Sequence, residues 1–512
     1  MLIAAADAAL YQAKSSGRDR VILEETRLKA PVIYPGDENQ RGIYPAYNDT
    51  ITNNKEVVLL FGCQQVLIDT DQDTQAIIEY LCSESKKVFN CAVYYARQIY
   101  FKAHRYISSS ELDEEIKSNR HFQAMYSQAA QQTCHSVFES FKSFKALNKL
   151  FKQGKLAEKP RPPKYRKGGL NIVSYPKQAL KLIDGEIRIP LGSKVKAWFG
   201  IDSFTIPMPS NLEFKNIREL RILPRNQCFY AEFVYKLETV VQNLNPNNTL
   251  GIDPGMDNWV TCVSTVGTSF IVDGKHVKSL NRWYNKKVST IKDGKPQGFW
   301  SKKLAHLTEK RNRQMRDAVN KAARLVINHC LENNIGAVVF GWNQGQKQES
   351  NLGSKNNQKW VQVLTARLKN RIFQLCQQYG IQFVETEESY TSKCSFVDGD
   401  YLPKYGEKPL RDWKPDAPYV ANASLSGKRV KRGLYRTALN WYINADANGA
   451  ANVLRKVSRM LGINLSGLSR VPLTAPQRIK LWSAKRMFRL ESLVLQPREK
   501  SNPLLNQLQF HK

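Results

Sequence analysis

The stretch TLGIDPGMDNWVTCVSTVGTSFIVDGK, residues 249–275, decides the fold. It contains three short runs rich in β-branched and aromatic residues, separated by Gly-containing turns, and this pattern predicts three antiparallel strands. The first run carries one acid, Asp253, in the sequence GIDPG. A carboxylate on a buried strand is costly unless it has a role. We therefore expect Asp253 to be functional, and the alternative is a turn-forming Asp-Pro-Gly.

The residues that follow predict helices that alternate with buried strands. Amphipathic helices are predicted for roughly 278–334 and a helix for 360–380, whereas IGAVVFG (335–341) and IQFVET (381–386) are typical of fully buried strands. A last helix begins near Asp446 in DANGAANVLRKVSRML, with small and apolar residues on one face. Three antiparallel strands followed by alternating helices and parallel strands indicate an RNase H-like α/β fold.

The first half of the chain has a different pattern. EVVLLFGCQQVLI (56–68) predicts a strand, residues of about 72–155 are helical in pattern, and residues 170–240 alternate in short strands with a hairpin turn at DGE (184–186). These features predict a small β-barrel with an inserted helical part. We expect an α+β multidomain protein with a linker at 1–55, the barrel and helices at 56–245, the RNase H-like core at 246–460 and a basic tail at 461–512.

The charge balance points to a polyanionic partner. The chain has 77 Lys and Arg against 45 Asp and Glu, a formal net charge of +32, and such self-repulsion suits nucleic acid better than a small-molecule substrate. No apolar run approaches the roughly 18 residues of a membrane span, and the opening residues lack a basic leader. Nine scattered cysteines without a C-x-x-C pair predict neither disulfides nor zinc, and favour a cytoplasmic, nucleoid-associated protein.

One segment concentrates this charge. FKSFKALNKLFKQGKLAEKPRPPKYRKGG (141–169) holds ten Lys and Arg from Lys142 to Lys167 against a single acid, Glu158. Aromatic residues are interleaved and are able to stack on bases, so the pattern predicts a nucleic-acid contact, with a solvated face as the alternative. The residues of this segment expected to bind nucleic acid are Lys164, Tyr165, Arg166 and Lys167. The interleaved aromatic residues are Phe141, Phe144, Phe151 and Tyr165.

The candidate active site is a set of acids at strand ends. Metal-dependent phosphodiester cleavage needs acids that converge on two Mg²⁺ ions. Asp253 is the first candidate and Asp446 the third, although Asp446 alone would also suit an ordinary helix N-cap. The second acid is missing from the end of the strand 335–341, where Gly341 stands. The neighbouring strand ends in Glu387 and Glu388, and parallel neighbours lie about 5 Å apart.

Either glutamate therefore has the reach to replace the missing acid, but in a persisting strand Glu387 and Glu388 point to opposite faces, so only one does so. Glu388, nearer the loop, is the preferred candidate, and Glu387 remains possible. The alternative is that both are a solvated acidic strand end in a site that has lost its activity.

Five motifs in order, PPKYRKGG, GEIRIPLG, GIDPG, YTSKCS and NADANGAANV, resemble the TnpB (OrfB) family of transposon-encoded RNA-guided nucleases, which is related to type V CRISPR effectors. The resemblance covers roughly residues 56–460. It implies a RuvC-type nuclease core, an N-terminal wedge and helical recognition part, a guide RNA and double-stranded target DNA as partners, and Asp253 and Asp446 as the first and third catalytic acids. With Glu388 as the replacement for the second acid, we expect Asp253, Glu388 and Asp446 to hold Mg²⁺. A catalytically inactive RNA-guided DNA-binding or transposition accessory protein is the alternative.

The sequence departs from the family pattern in two places. Gly341 replaces the usual second acid, and the finger-like insert at about 390–440 keeps only Cys394 where two C-x-x-C pairs are typical. One thiol does not form a tetrahedral zinc site, so we expect no zinc. Basic residues of the insert and of the preceding YTSK motif are expected to contact phosphate instead: Lys393, Lys428, Arg429, Lys431 and Arg432. Separately, residues 1–23 resemble the C-terminal end of a GGDEF domain.

Overall fold

The computed structural model describes residues 22–23, 32–33, 60–237, 242–343, 364–403 and 425–482. The resemblance of residues 1–23 to a GGDEF domain therefore falls almost entirely outside the described residues, as does the end of the predicted basic tail. The chain is a mixed α+β, multidomain protein, and its described residues form one apolar core in the first half and two in the second half.

Sheets and helices of the first half share a single apolar core. The strands are β1 (Ile22–Leu23), β3 (Leu60–Leu67), β4 (Val173–Pro176), β5 (Lys181–Ile183), β6 (Glu186–Pro190), β7 (Ser203–Pro207), β8 (Ile217–Arg225) and β9 (Cys228–Leu237). Their order is β1-β3-β9-β8-β4 in one sheet and β5-β6-β7 in a smaller one. The helices are α1 (Gln72–Lys102), α2 (Ser109–Ile116), α3 (Arg120–Gln123), α4 (Ser127–Lys152) and α5 (Ser193–Phe199).

The predicted helical region of 72–155 is thus four helices, separated by short turns. Ser108 caps α2 with a capping box that includes Glu111, and this local signal ends any continuous helix. The turn at 184–186 is confirmed as a hairpin, because Asp184 and Gly185 both have positive φ angles (49° and 80°) between the paired strands β5 and β6. Whether the two sheets together act as a wedge barrel stays a prediction.

The second half is built around a seven-stranded sheet with the order β18-β12-β11-β10-β13-β14-β2. Strands β10, β11 and β12 pair antiparallel, while β13 and β14 run parallel to β10. This agrees with the strand pattern expected from the sequence. The strands are β2 (Val32–Ile33), β10 (Asn245–Pro254), β11 (Asn258–Ser264), β12 (Ser269–Asp273), β13 (Ile335–Gly341), β14 (Gln382–Thr386) and β18 (Gln477–Ile479).

Helices cover both faces of this sheet, and a small sheet lies beside it. The helices are α6 (Lys275–Lys292), α7 (Lys302–Glu332), α8 (Thr365–Tyr379), α9 (Ala445–Leu461) and α10 (Arg470–Thr474). The small sheet, which falls in the finger-like insert, consists of β15 (Lys428–Lys431), β16 (Leu434–Arg436) and β17 (Tyr442–Asn444). Residues 470–479, which we expected in a separate tail, instead contribute α10 and the edge strand β18 next to β12.

Helix α9 approaches the central strand β10 very closely. A Cβ atom at Gly251 of β10 would lie 2.6 Å from the carbonyl oxygen of Ala450 and 2.6 Å from Cγ of Leu454, both on α9. Only glycine fits at such a distance. The buried face of α9 includes Ala447, Ala450 and Ala451, as the run of small residues predicted.

No helix among the described residues is long and apolar enough to cross a membrane.

Gly251→Ala should therefore destabilise the protein by about 1–3 kcal/mol, because the added methyl group meets helix backbone that has no room to move away. The matched control is Gly168→Ala, since a Cβ there meets no atom within 4 Å. Chemical unfolding followed by circular dichroism measures both. Equal stability of the two variants would contradict the close packing of α9 on β10.

Candidate active site

The carboxyl ends of three neighbouring parallel strands meet at one edge of the large sheet. Ile252 of β10 pairs with Phe340 of β13, and Gly341 pairs with Thr386 of β14. Asp253 therefore lies next to Gly341, and the segment after Thr386 leaves the sheet beside both. Ligand-binding groups commonly gather at this end of parallel strands.

Glu388 occupies the space that a side chain at position 341 would fill. A Cβ atom at Gly341 would lie 2.9 Å from Cγ of Glu388 and 3.1 Å from Cγ2 of Val453. The backbone N–H of Glu388 donates to Oδ1 of Asn343 at 2.9 Å, which holds the chain where it leaves the strand. The side chain of Glu388 thus turns back across the glycine.

Glu387 points elsewhere and forms an internal ion pair. Its carboxylate accepts a hydrogen bond from the ammonium group of Lys456 on α9, and both side chains are more than nine-tenths buried. It also accepts from the backbone N–H of Ser389 at 2.7 Å. Of the two glutamates that the sequence left open, Glu388 faces Asp253 and Glu387 supports the packing of α9.

The charges at Asp253 are poorly compensated. Burial raises the pKa of the Asp253 carboxyl well above its usual range, the negative charges of Glu388 and Asp446 raise it further, and the nearby Arg429 opposes them. Burial, with the charge of Glu387, raises the pKa of Glu388 to about 7. Such convergence of like charges is typical of functional sites.

Asp446 lies in the first turn of α9, and the helix is capped by a different residue. Asn444 is the N-cap, and its side chain accepts from the backbone N–H groups of Asp446 and Ala447. The interpretation of Asp446 as an ordinary N-cap is therefore wrong. Its carboxylate instead accepts from Nδ2 of Asn258 at 2.5 Å and from Nη2 of Arg429 at 3.3 Å.

Gly449 also shapes the site, one turn further along α9. A Cβ atom at this position would lie 2.5 Å from Oδ2 of Asp253. The sequence patterns did not point to Gly449 or Asn258. The only local signals are a glycine inside an otherwise good helix and a polar residue at the start of an apolar strand.

The three acids do not yet form a ligand cluster. Among the described residues, no group of three His, Cys, Asp or Glu side chains is arranged so that it could hold a metal ion. Asp446 is turned toward Asn258 and Arg429, so one of the three carboxylates is engaged by protein donors. The chemistry of the set, three carboxylates of which one is strongly repelled by the others, nevertheless suits a hard divalent cation.

The described part of the finger-like insert is held together by hydrogen bonds to two aspartates. Asp400 accepts from the backbone N–H groups of Ser395 (2.6 Å) and Ser426, and Asp398 accepts from the backbone N–H of Ala438 at 2.8 Å. Burial, the largest cause, raises the pKa of the Cys394 thiol to about 12, and its Sγ–H donates to the carbonyl of Tyr401. A thiol in this state is a poor metal ligand.

Two of the basic residues expected to contact phosphate are paired with acids. Arg429 contacts Asp446, as described above, and Arg432 contacts Asp257 at 2.6 Å. Both arginines lie on or next to β15, so these contacts connect the small sheet to the rim of the site. The three lysines of this set are exposed in the structure, as expected: Lys393, Lys428 and Lys431.

The basic segment 141–169 divides into a helical and an extended part. Phe141 and Phe144 lie in α4 and are only 1% and 4% exposed, so the expectation that they stack on bases is wrong: they belong to the core. Tyr165 in the extended part is 43% exposed. Its neighbours Lys164, Arg166 and Lys167 are exposed as well, although the guanidinium of Arg166 packs over the ring of Phe89.

Residues 232–345 match the family model described as OrfB_IS605, a probable transposase. This segment runs from β9 to just beyond β13 and includes Asp253 and Gly341. The resemblance to the TnpB/OrfB family is thereby confirmed. No curated protein matches the sequence.

Several solved structures are similar at low identity. A chain of the Cas12f1–sgRNA–target DNA complex is 14% identical, with a TM-score of 0.43, over 75% of this chain and 83% of that chain. The mini-RNA-guided endonuclease CRISPR-Cas_phi3 is 9% identical, with a TM-score of 0.36, over 80% and 93%. CasPhi-2 (Cas12j) bound to crRNA is 10% identical, with a TM-score of 0.33, over 80% and 99%.

The repulsion at Asp253 leads to a stability prediction. Asp253→Asn should raise Tm by about 2–4 °C in the presence of a chelator, the shift that roughly 1 kcal/mol produces in a domain of 150–250 residues. The amide removes a carboxylate that its neighbours repel. Differential scanning calorimetry at pH 7.5 measures the change.

Asp257→Asn is the matched control, four residues along. Burial alone would raise the pKa of Asp257, but the hydrogen bond from Lys278 and the charges of Lys278, Arg432 and Lys275 outweigh it and lower the pKa. Loss of the Asp257 carboxylate should leave Tm unchanged or reduce the free energy of unfolding by up to about 1 kcal/mol. A fall in Tm for Asp253→Asn as large as that for Asp257→Asn would contradict the assigned electrostatics.

Proposed function

We propose that the protein is a transposon-associated, RNA-guided DNA endonuclease with a RuvC-type site. The observation that carries the proposal is the position of Glu388, whose side chain crosses Gly341 to lie beside Asp253. The acid missing from β13 would thus be supplied by the segment that follows β14, the neighbouring strand. Asp253, Glu388 and Asp446 are the proposed catalytic set, and the sheet order 3-2-1-4-5 of its five central strands supports an RNase H-like core.

Asp253, Glu388 and Asp446 would hold two Mg²⁺ ions, which when bound neutralise charge on the phosphate and activate water. The protein's own contribution is to fix the three carboxylates on rigid elements: a central strand, the exit of its second neighbour and the first turn of a helix. Asn258 and Arg429 orient Asp446. Repulsion between the acids favours a cation over an empty site.

The surroundings suit a polyanionic substrate. Arg429 and Arg432 bring two guanidinium groups to the rim of the site, and guanidinium binds phosphate oxygens in a bidentate manner. The net charge of +32 and the exposed lysines of β15 support binding of RNA and double-stranded DNA along the backbone. Lys164, Tyr165, Arg166, Lys167 and Lys393 are proposed as further contacts of this kind.

The second candidate is an RNA-guided DNA-binding protein that does not cut. One observation favours it: Asp446 is engaged by Arg429 and Asn258, and no ligand cluster is formed among the described residues. An arginine that stays on Asp446 would keep the third carboxylate away from a metal. Binding would be unaffected, because it depends on the basic surface.

The decisive experiment uses the protein purified with its bound RNA, which is sequenced to design a supercoiled target plasmid with a randomised flank. Wild type should cut it in Mg²⁺, and Asp253→Ala, Glu388→Ala and Asp446→Ala should each reduce cutting to background. Double variants should lose little more, since groups that act as one unit are not additive. Binding of Mn²⁺, followed by electron paramagnetic resonance, should weaken in all three.

Glu387→Gln is the matched control, because it keeps the size and hydrogen bonding of the neighbouring side chain. It should retain cutting and Mn²⁺ binding, with some loss of stability from the buried Lys456 that it leaves uncompensated. Guided binding by wild type without cutting would establish the binding protein instead. Full activity of Glu388→Ala would exclude Glu388 as the second acid.

A swap of the acid between strands tests the same geometry independently. Gly341→Asp should reduce cutting, because its Cβ crowds Glu388 and displaces it. Gly341→Asp combined with Glu388→Ala should cut better than either single variant, because the carboxylate is then on β13 and the side chain of Glu388 no longer competes with it for space. Gly341→Ala is the control for crowding without charge. Initial rates of plasmid cleavage by wild type, the two single variants and the double variant form a double-mutant cycle. Strictly additive effects of the two substitutions would contradict the proposal that both acids occupy the same position.

A further inference from the structure

The outer face of α1 carries exposed aromatic side chains far along the chain from the acidic site. Tyr94 and Phe101 are 52% and 51% exposed, and their spacing of seven residues places them on one side of the helix, two turns or about 10.5 Å apart. Between them lies Arg97, whose guanidinium carbon is 5.2 Å from the ring centroid of Phe101. Exposed apolar side chains that cluster on one face mark interaction sites more often than single ones do.

The extended segment after Pro163 is fixed against this face by specific hydrogen bonds. Arg97 donates through Nη1 to the carbonyl of Pro163 at 2.9 Å. The side chain of Asn90 bonds both backbone groups of Arg166, accepting from its N–H at 2.8 Å and donating to its carbonyl at 3.1 Å. These bonds hold the ring centroid of Tyr165 at 5.6 Å from the guanidinium carbon of Arg97. The three exposed rings of Tyr94, Phe101 and Tyr165 form what we call the aromatic platform.

The platform is strongly basic. The two chain segments that build it contain no acid at all, since none occurs between Glu84 and Glu111 or between Glu158 and Asp184. Exposed lysines flank the rings, namely Lys102 on α1 and Lys164 and Lys167 on the extended segment. Aromatic rings between lysines are the arrangement by which proteins bind unpaired nucleotides, with bases on the rings and phosphates near the ammonium groups.

We propose that the aromatic platform binds an unpaired segment of RNA by stacking its bases. The ligand is single-stranded, because a duplex hides the faces of its bases inside the helix. RNA is chosen over the DNA target, because the platform belongs to the first half of the chain, whereas the acids proposed to cut DNA belong to the second half. The inference rests on the proposed function only in taking RNA as a partner.

The experiment uses the full-length protein, freed of nucleic acid by high salt, and three labelled probes: a U12 RNA, a dT12 DNA and a fully paired RNA hairpin. Tyr94→Leu, Phe101→Leu and Tyr165→Leu are combined, which removes the rings and leaves every lysine in place. Fluorescence anisotropy should show U12 binding weakened at least about tenfold with an unchanged salt dependence. Hairpin binding should change less than twofold.

The matched control combines Tyr94→Phe, Phe101→Tyr and Tyr165→Phe, which keeps all three rings and should bind U12 like wild type. Equal losses on U12 and on the hairpin, or tighter wild-type binding of dT12 than of U12, would overturn the proposal. Unchanged U12 binding by the leucine variant would overturn it while leaving the nuclease intact. If wild type binds none of the probes, the proposed nucleic-acid function itself fails.

Discussion

Helix α9 lies almost directly on strand β10, and the rest of the site depends on this contact. Gly251 on the strand has no side chain, and the carbonyl oxygen of Ala450 and the side chain of Leu454 on the helix pack directly against it. A helix that packs onto a sheet ordinarily stands off by the thickness of its side chains. Here the short separation brings Asp446, in the first turn of α9, into electrostatic contact with Asp253 at the end of β10.

The same contact holds buried acids close together, so that their negative charges repel one another. Asp253 and Glu388 both have raised pKa values, because burial and like charges disfavour their ionised forms. The charge at Asp253 is partly offset by Arg429, which reaches in from the small sheet. Glu387, by contrast, is neutralised by Lys456. Two adjacent glutamates thus serve opposite purposes, one stabilising the fold and the other adding repulsion where a cation is proposed to bind.

Much of the fold followed from sequence patterns that act over short distances. The buried strand 335–341 has the bounds that were predicted. A short apolar run between a helix end and a polar segment is typical of a buried strand, and the flanking residues mark its two ends. Helix α9 begins at Ala445, one residue from the predicted start. The prediction that the interleaved aromatics of the basic segment stack on bases failed for Phe141 and Phe144, because long-range packing decides their burial. The segment divides between a core helix and an exposed, extended part. Phe141 and Phe144 lie in the helix and are buried by residues distant in sequence.

The sequence by itself determined which acids are available: Asp253, Asp446 and one of two adjacent glutamates, with Gly341 in place of the usual residue. Only the tertiary structure decided which of the two glutamates points toward Asp253. The strand pleat ends at Thr386, so alternation no longer predicts where Glu387 and Glu388 point. Their directions are set by Lys456 on α9 and by the empty space over Gly341, and both come from contacts between segments that lie far apart in the chain.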